Sequence, residues 1–418
     1  MSISTPPPQV PALRFKGFTN PWQQQLFSDI AKIRRGLTYR PSDVQSEGVR
    51  VLRSSNIIED TFTLHDDDVT VTKESVTIEC VKSGDILITS ANGSNRLVGK
   101  HAIINGLARD SAIHGGFMLA ATASKPYFVN SLLSSPWYTE FINTHVLGGN
   151  GAIGNLSKRD LENQQVYAPT GAEQLLIGET YKHLDLLISQ TQRKYEKLTE
   201  LKQAMLEKMF PREGETVPEL RFPGFTEPWT YKSLGDNGTA FGGLSGKSKA
   251  DFGHGEGRYI TYTNVFDNAI ADPNRTEPIE IDDSQHQIKY GDILFTVSSE
   301  VPEEVGMSCV WVGNQEHLYL NSFCFSYRHA GQFNPYFMAP LLRSSSFRKK
   351  IVLLAQGISR FNISKAKVMQ IEIPIPSMAE QQAIGQFFKT LDERIEFQSR
   401  RVDKLKELKQ ALLEKMFV

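Results

Sequence analysis

Three strings in this chain carry residue types that could do chemistry. Gly242-Gly243-Leu244-Ser245-Gly246-Lys247-Ser248 ends like a phosphate-binding loop, in which backbone amides and a lysine cradle a nucleotide. The full spacing demands glycine at position 241, where Phe241 stands. Asn334-Pro335-Tyr336-Phe337 is close to the N-P-P-[YF] string of amino-methyltransferases but lacks the second proline. Its counterpart, Lys125-Pro126-Tyr127-Phe128, points instead to a helix start with proline in the first turn. Carboxylate runs such as Asp66-Asp67-Asp68 and Glu303-Glu304 lack a lysine at nuclease-like spacing and read as solvated loop charge. The nine histidines show neither H-x-x-x-H nor triad-like spacing. Cys80, Cys309 and Cys324 form no C-x-x-C pair, which argues against a disulfide framework and a zinc site and fits a reducing cytosol. No catalytic residue is expected in this chain.

Composition narrows the remaining classes. Of 418 residues, 40% are hydrophobic, enough for two or three domains. Lys plus Arg number 46 and Asp plus Glu 47, for a net charge of −1, so any case for nucleic acid must rest on local charge rather than a global basic footprint. Residues Met1 to Pro11 are polar and proline-rich, unlike a signal peptide. No apolar run approaches the roughly 18–20 residues that span a bilayer. A cytoplasmic protein without a membrane partner is expected.

Self-similarity organises the chain. Leu13-Arg14-Phe15-Lys16-Gly17-Phe18-Thr19-Asn20-Pro21-Trp22 returns as Leu220-Arg221-Phe222-Pro223-Gly224-Phe225-Thr226-Glu227-Pro228-Trp229. Gly84-Asp85-Ile86-Leu87 returns as Gly291-Asp292-Ile293-Leu294, and Asn155-Leu156-Ser157-Lys158 as Asn362-Ile363-Ser364-Lys365. Glu173-Gln174 matches Glu380-Gln381, and Leu201 to Phe210 (LKQAMLEKMF) matches Leu408 to Phe417 (LKQALLEKMF). One offset serves every anchor, which marks a tandem duplication. Between anchors the copies diverge, and Arg53-Ser54-Ser55-Asn56 aligns with Thr261-Tyr262-Thr263-Asn264 only after one insertion.

Each copy has two sections. The first holds short β-type runs, such as Ile86-Leu87-Ile88-Thr89 and Phe323-Cys324-Phe325-Ser326-Tyr327, with helical stretches expected from Pro126 to Val146 and from Pro335 to Leu354. The second is one long helix, with Thr170 or Ser377 as the expected N-cap. Leu184, Ile188, Thr191, Tyr195, Leu198, Met205 and Met209 fall on one stripe, as do Leu391, Ile395, Gln398, Val402, Leu405, Leu412 and Met416, with Leu201 and Leu408 widening it. Such a helix makes a rod of roughly 58 Å. A lone stripe stays unburied, so the two helices are expected to pack on each other, antiparallel. The fold class is therefore α+β: two globular domains in a pseudo-twofold tandem repeat, separated by an antiparallel pair of long coiled-coil helices. The helices alone are equally compatible with a duplicated coiled-coil scaffold or adaptor that never touches DNA.

The L-R-F-x-G-F-x-x-P-W openings, the N-[LI]-S-K segments and the L-K-Q-x-[ML]-L-E-K-M-F helix ends resemble the specificity subunits of type I restriction–modification enzymes. The resemblance covers nearly the whole chain, twice. It implies target-recognition domains at 13–158 and 220–365, each reading half of a bipartite asymmetric DNA site, and spacer helices at 159–219 and 366–418. It also implies partners: double-stranded DNA, two modification (methyltransferase) subunits and, through the complex, restriction (motor and nuclease) subunits. S-adenosylmethionine, ATP and Mg belong to those partners, and no cofactor is expected in this chain.

Base contact needs Arg or Lys for guanine and Asn or Gln for adenine, with Ser and Thr as adaptable donors and acceptors. Loops with such residues follow matching anchors. In the first copy the DNA-binding candidates are Arg53, Ser54, Asn56, Ser90, Asn92, Asn95, Arg96 and Asn150. In the second they are Thr261, Tyr262, Asn264, Ser298, Ser299, Ser359 and Arg360. Asn155 and Asn362, present in both copies, read as structural, because a residue that reads sequence should differ between unlike half-sites. Arg34-Arg35, Arg343 and Arg348-Lys349-Lys350 are candidates for phosphate contacts.

Overall fold

The computed structural model describes residues 10–146 and 154–418. The chain divides into two compact units, residues up to Thr191 together with Arg401–Val418, and Gln192–Arg400.

The first unit contains β1 (Gln23–Leu26), β2 (Ala31–Arg35), β3 (Val44–Leu52), β4 (Thr70–Val71), β5 (Ile86–Thr89), β6 (His101–Ile103), β7 (Ala112–His114) and β8 (Met118–Ala123). Then come α1 (Pro126–Leu133), α2 (Pro136–Phe141), α3 (Lys158–Glu162), β9 (Gln165–Ala168) and α4 (Gly171–Lys208), whose residues after Thr191 belong to the second unit. An antiparallel sheet runs β2-β8-β5-β6. Alternation along β5 buries both of its faces. Ile86 and Ile88 pack with Phe128 and Leu132 of α1, while Leu87 packs with Leu52, Ala102 and Met118 on the other side. A second sheet runs β4-β3-β7, and β1 pairs with β9.

The second unit contains β10 (Thr230–Ser233), β11 (Gly238–Gly242), β12 (Phe252–Ile260), α5 (Tyr262–Asp267), β13 (Thr276–Ile279), β14 (Ile293–Thr296), β15 (Ser308–Val310), β16 (Leu318–Leu320) and β17 (Cys324–His329). Then come α6 (Pro335–Leu341), α7 (Ser345–Leu353), α8 (Lys365–Met369), β18 (Glu372–Ile375) and α9 (Met378–Met416), whose residues from Arg401 belong to the first unit. Its sheets run β11-β17-β14-β15, β13-β12-β16 and β10-β18. These are the sheet orders of the first unit, and even the irregularity recurs. Val44 and Val49 both face Val71, as Phe252 and Gly257 both face Ile279.

Glycines sit where the backbone leaves no room. A Cβ on Gly36 would lie 1.9 Å from the Gly115 carbonyl oxygen, and one on Gly243 would lie 2.0 Å from that of Asn321. The expected single helices after Pro126 and Pro335 are each broken in two. Ser135 precedes the first turn of α2 with Pro136 at its start, and the Ser344 hydroxyl caps α7 by accepting from the Phe347 amide.

Both long helices form as the periodicity requires. Along α4, Thr191 is buried on the stripe, with Leu184, Ile188 and Leu198 half-buried; Leu391, Gln398, Val402 and Met416 are buried on α9. Leu201 and Leu408 do not widen the stripe. They are 42% and 47% exposed, because their positions turn them away from the buried side.

Each unit is closed by a helix end. In the first, the Leu13 amide donates to the Lys415 carbonyl at 2.8 Å, and Phe417 packs on Trp22, Phe128 and Tyr181. In the second, the Leu220 amide donates to the Lys208 carbonyl at 2.8 Å, and Phe210 packs on Trp229, Phe337 and Phe388. Ion pairs recur too: Lys409 with Asp185 at 2.6 Å in the first unit, Lys202 with Asp392 at 2.5 Å in the second.

Gly243→Ala forces backbone apart at a close crossing, so a loss of stability of about 1–3 kcal/mol or more is expected, read as a lower urea midpoint. Gly242→Ala, with no atom within 4 Å of its Cβ, is the control. Equal midpoints for the two variants would contradict the crossing.

Candidate nucleic-acid interface

The Gly-Asp-Ile-Leu anchors set the site, because the strand that leads into each loop is pinned at its start by a buried charge. Gly84 and Gly291 turn at φ +95° and +84°, a region that favours glycine. Asp85, 1% exposed, accepts from the Lys82 amide and the Thr122 hydroxyl and pairs with Arg34 at 2.5 Å. Asp292, fully buried, accepts from the Lys289 amide and takes both arms of Arg328 at 2.8 and 2.6 Å. The cation thus comes from β2 in one unit and from β17 in the other. Phe241, at the position matching Arg34, lies under the Arg328 guanidinium.

Three of the expected phosphate contacts are therefore corrected. Arg34 is spent on Asp85. Arg343 donates to the carbonyls of Ser308, Val265, Phe266 and Asn268, and burial lowers its pKa. Arg348 donates to the carbonyls of Gly306, Glu303 and Val305, and burial pushes it down to about 10. Both arginines organise the backbone behind the loops rather than facing solvent. Lys350 donates to the Glu372 carbonyl, whereas Arg35 and Lys349 are exposed.

In the first unit the candidate loops converge on one edge. The Asn92 amide donates to the Ser54 hydroxyl at 2.9 Å, and the Ser90 and Ala91 amides donate to the Phe117 carbonyl. The Leu156 amide donates to the Ser90 carbonyl, and the Asn95 side chain accepts from the Gly154 amide at 2.9 Å. Arg53, Asn95 and Arg96 are exposed there, with Ser54 and Asn92 half-buried. Asn150 lies outside the described residues.

The second unit repeats this convergence with other residues. The Tyr262 hydroxyl donates to the Ser298 carbonyl at 2.6 Å, Ser298 pairs with Asn362, and the Arg360 guanidinium lies over the Phe323 ring. Thr261 caps α5 by accepting from the Asn264 amide. The Ser299 hydroxyl donates to Glu304 at 3.3 Å, and Ser359 and Arg360 are exposed. Asn155 and Asn362 sit in bridging backbone, paired with Ala91 and Gln356.

Four candidates do not face solvent. Asn56 and Asn264 are fully buried, Ser90 is 8% exposed and Ser298 4%. Asn56 accepts from the Arg53 amide and donates to Thr63 and Asp68, and Asn264 accepts from the Asp272 amide and donates to the Asp272 and Arg275 carbonyls. Both hold a loop in shape, as a buried amide must satisfy its own groups. Asp68 also departs from the expectation of solvated charge. It is 8% exposed, bound by Asn56, the His65 amide and Arg50 at 2.6 Å.

Ion pairs missed from the sequence tie the openings to the helix starts. Arg14 grips Glu173 with two bonds of 2.6 and 2.7 Å, and Arg221 grips Glu380 at 2.7 and 2.8 Å. Both glutamates are 1% exposed. The signal was present, since arginine and glutamate were each repeated at one offset. His114 and His101 are buried, and burial lowers both, His114 to about 4. Among the described residues no group of three His, Cys, Asp or Glu could hold a metal, and no helix is long and apolar enough to cross a membrane.

The architecture defines a class, that of the specificity-subunit fold. The crystal structure of the type I restriction-modification system S subunit from M. genitalium superposes with a TM-score of 0.60 over 98% of this chain and 99% of that one, at 14% identity. Residues 226–407 match the family described as type I restriction modification DNA specificity domain. The chain is 23% identical over 425 residues to a putative type I restriction enzyme MjaX specificity subunit of Methanocaldococcus jannaschii, covering 94% of this chain and 92% of the relative. A 96-residue stretch is 34% identical to the type I restriction enzyme StySPI specificity subunit of Salmonella potsdam, covering 22% and 21% of the two chains. The chain is thus similar over nearly its whole length to a type I specificity subunit, and its second half carries the match to the specificity-domain family.

Burial alone would raise the Asp68 carboxyl, but bonds from His65, Asn56 and Arg50 outweigh it and hold the carboxyl below its usual range. A depressed carboxylate stabilises the fold above its unfolded pKa of about 3.9 and loses that contribution as pH falls through the folded value. Asp68→Asn should therefore cost about 1–3 kcal/mol at neutral pH, with the gap to the parent narrowing below about pH 4. Paired urea titrations across pH check this, and a gap that widens in acid would contradict it.

Proposed function

We propose that the chain is the sequence-specific DNA-recognition subunit of a type I restriction–modification complex. The observation that carries this is the pairing of like with unlike. Two scaffolds with the same sheet order present convergent polar loops whose residues differ, Arg53, Ser54, Asn92, Asn95 and Arg96 in one, Thr261, Tyr262, Ser299, Ser359 and Arg360 in the other. Unlike readers in a pseudo-twofold repeat suit the two halves of a bipartite, asymmetric site. Target-recognition domains at 13–158 and 220–365 do the reading, and the helices in 159–219 and 366–418 set the gap as an antiparallel pair. The Asp185–Lys409 and Lys202–Asp392 pairs support that pairing.

Catalysis belongs to partner subunits. Two modification subunits bring S-adenosylmethionine and methylate a base, and restriction subunits bring ATP and Mg chemistry. This chain binds and orients and holds no cofactor. Leu175, Leu176, Leu186 and Phe397 are apolar yet exposed on the long helices and suit docking of the modification subunits. A duplicated scaffold without DNA binding is not favoured, because the variable residues gather at the loop edges rather than along the helices.

Co-expression with the neighbouring modification subunit, followed by mapping of methylated bases across the genome, tests the proposal. A motif of two unlike half-sites with a fixed gap is expected. Methylation without a motif, or none despite a stable complex, would overturn it.

A further inference from the structure

Two exposed phenylalanines stand at the same place in both units, at the edge where the candidate loops meet. Phe117 is 74% exposed and Phe323 is 55% exposed. Each occupies a tight turn at the start of a strand, Phe117 before β8 and Phe323 before β17, closed by Met118-to-Gly115 and Cys324-to-Asn321 backbone bonds. The turns are locked to the candidate loops. The Phe117 carbonyl accepts from the Ser90 and Ala91 amides, and the Phe323 carbonyl accepts from the Val297 amide. A side-chain bond from the Phe323 amide to Asn321 stiffens the second turn, and the Arg360 guanidinium lies 5.7 Å from the Phe323 ring.

A rigid turn that holds a bare aromatic ring in water among polar contact loops forgoes its burial, worth roughly 1.5–3 kcal/mol. An occupant that buries the ring accounts for it. The chemistry of that occupant follows from the comparison of the two copies. The loop residues around the rings differ, as unlike half-sites require, while the ring itself is the same. A contact common to both halves does not read sequence. Stacking has this property, since every base presents a π-face. Apolar side chains also act as wedges against base steps, partly unstacking them.

We infer that Phe117 and Phe323 are sequence-tolerant base-stacking contacts, each pressing its ring against a base step of the half-site read by its own unit. This rests on the proposal that the chain reads DNA. The flanking Arg360, and Arg53 beside Gly115, place cations where the adjoining phosphates would pass.

The test uses the full chain assembled with its modification subunits and a synthetic duplex carrying the methylated motif mapped for the parent, with 2-aminopurine placed in turn through one half-site. Phe117→Ala and Phe323→Ala should each weaken binding roughly 5- to 150-fold, the equivalent of about 1–3 kcal/mol, and abolish a rise in 2-aminopurine emission in the corresponding half only. Phe117→Trp and Phe323→Trp should retain both signals. The methylated motif should keep its sequence in every variant, and melting temperatures should match the parent because the rings are exposed. Parent-like binding and emission in both alanine variants would overturn the inference while leaving DNA recognition intact. A changed base preference would replace stacking with direct readout and also overturn it. A parent complex that binds no duplex would remove the DNA reading itself.

Discussion

An amphipathic helix cannot leave its apolar stripe in water, and the architecture follows from how these two long helices meet that demand. Each ends in Met-Phe, and each phenylalanine enters a core beneath a tryptophan, Phe417 under Trp22 and Phe210 under Trp229. Burying such a ring contributes roughly 1.5–3 kcal/mol. The same helix ends supply the carbonyls that anchor Leu13 and Leu220. In the second unit the closing segment lies next to the opening in sequence. In the first it comes from the far end of the chain, so that core is complete only once α9 is in place. Contacts of such high sequence separation are slow to form.

On this frame the invariant and the altered residues have separate physical roles. What repeats is what a buried charge or a crowded backbone demands: Arg14 with Glu173 and Arg221 with Glu380, the glycines of close crossings, and the aspartate that begins each loop strand. What changes can do so because a partner compensates. Asp85 takes its arginine from β2 and Asp292 from β17, with Phe241 filling the vacated place. The sheet therefore tolerates divergence beside an edge whose shape is retained.

Much of this was legible in the sequence, because periodicity and repetition report what an element buries. The helices at Gly171–Lys208 and Met378–Met416 follow from spacing alone. Leu201 and Leu408 show the limit, since hydrophobic type does not say which way a side chain turns at the margin of a stripe. The site was harder to read. Arg34, Arg343 and Arg348 resemble surface cations in sequence, yet satisfy an aspartate and buried carbonyls that only the folded chain brings near. Asn56 and Asn264 look like polar loop tips but are the buried braces of those loops. Phe117 and Phe323 escaped notice because an aromatic beside a strand reads as core, and its exposure depends on a turn. Gly-Gly before one and Asn-Ser before the other were the available signal.

The central claim is that the paired helices fix the distance between two independent readers. Inserting one heptad into each of α4 and α9, then mapping methylation with the modification subunit present, tests it most directly. The account predicts a longer gap between two unaltered half-sites. An unchanged gap, or a half-site that changes with helix length, would contradict it.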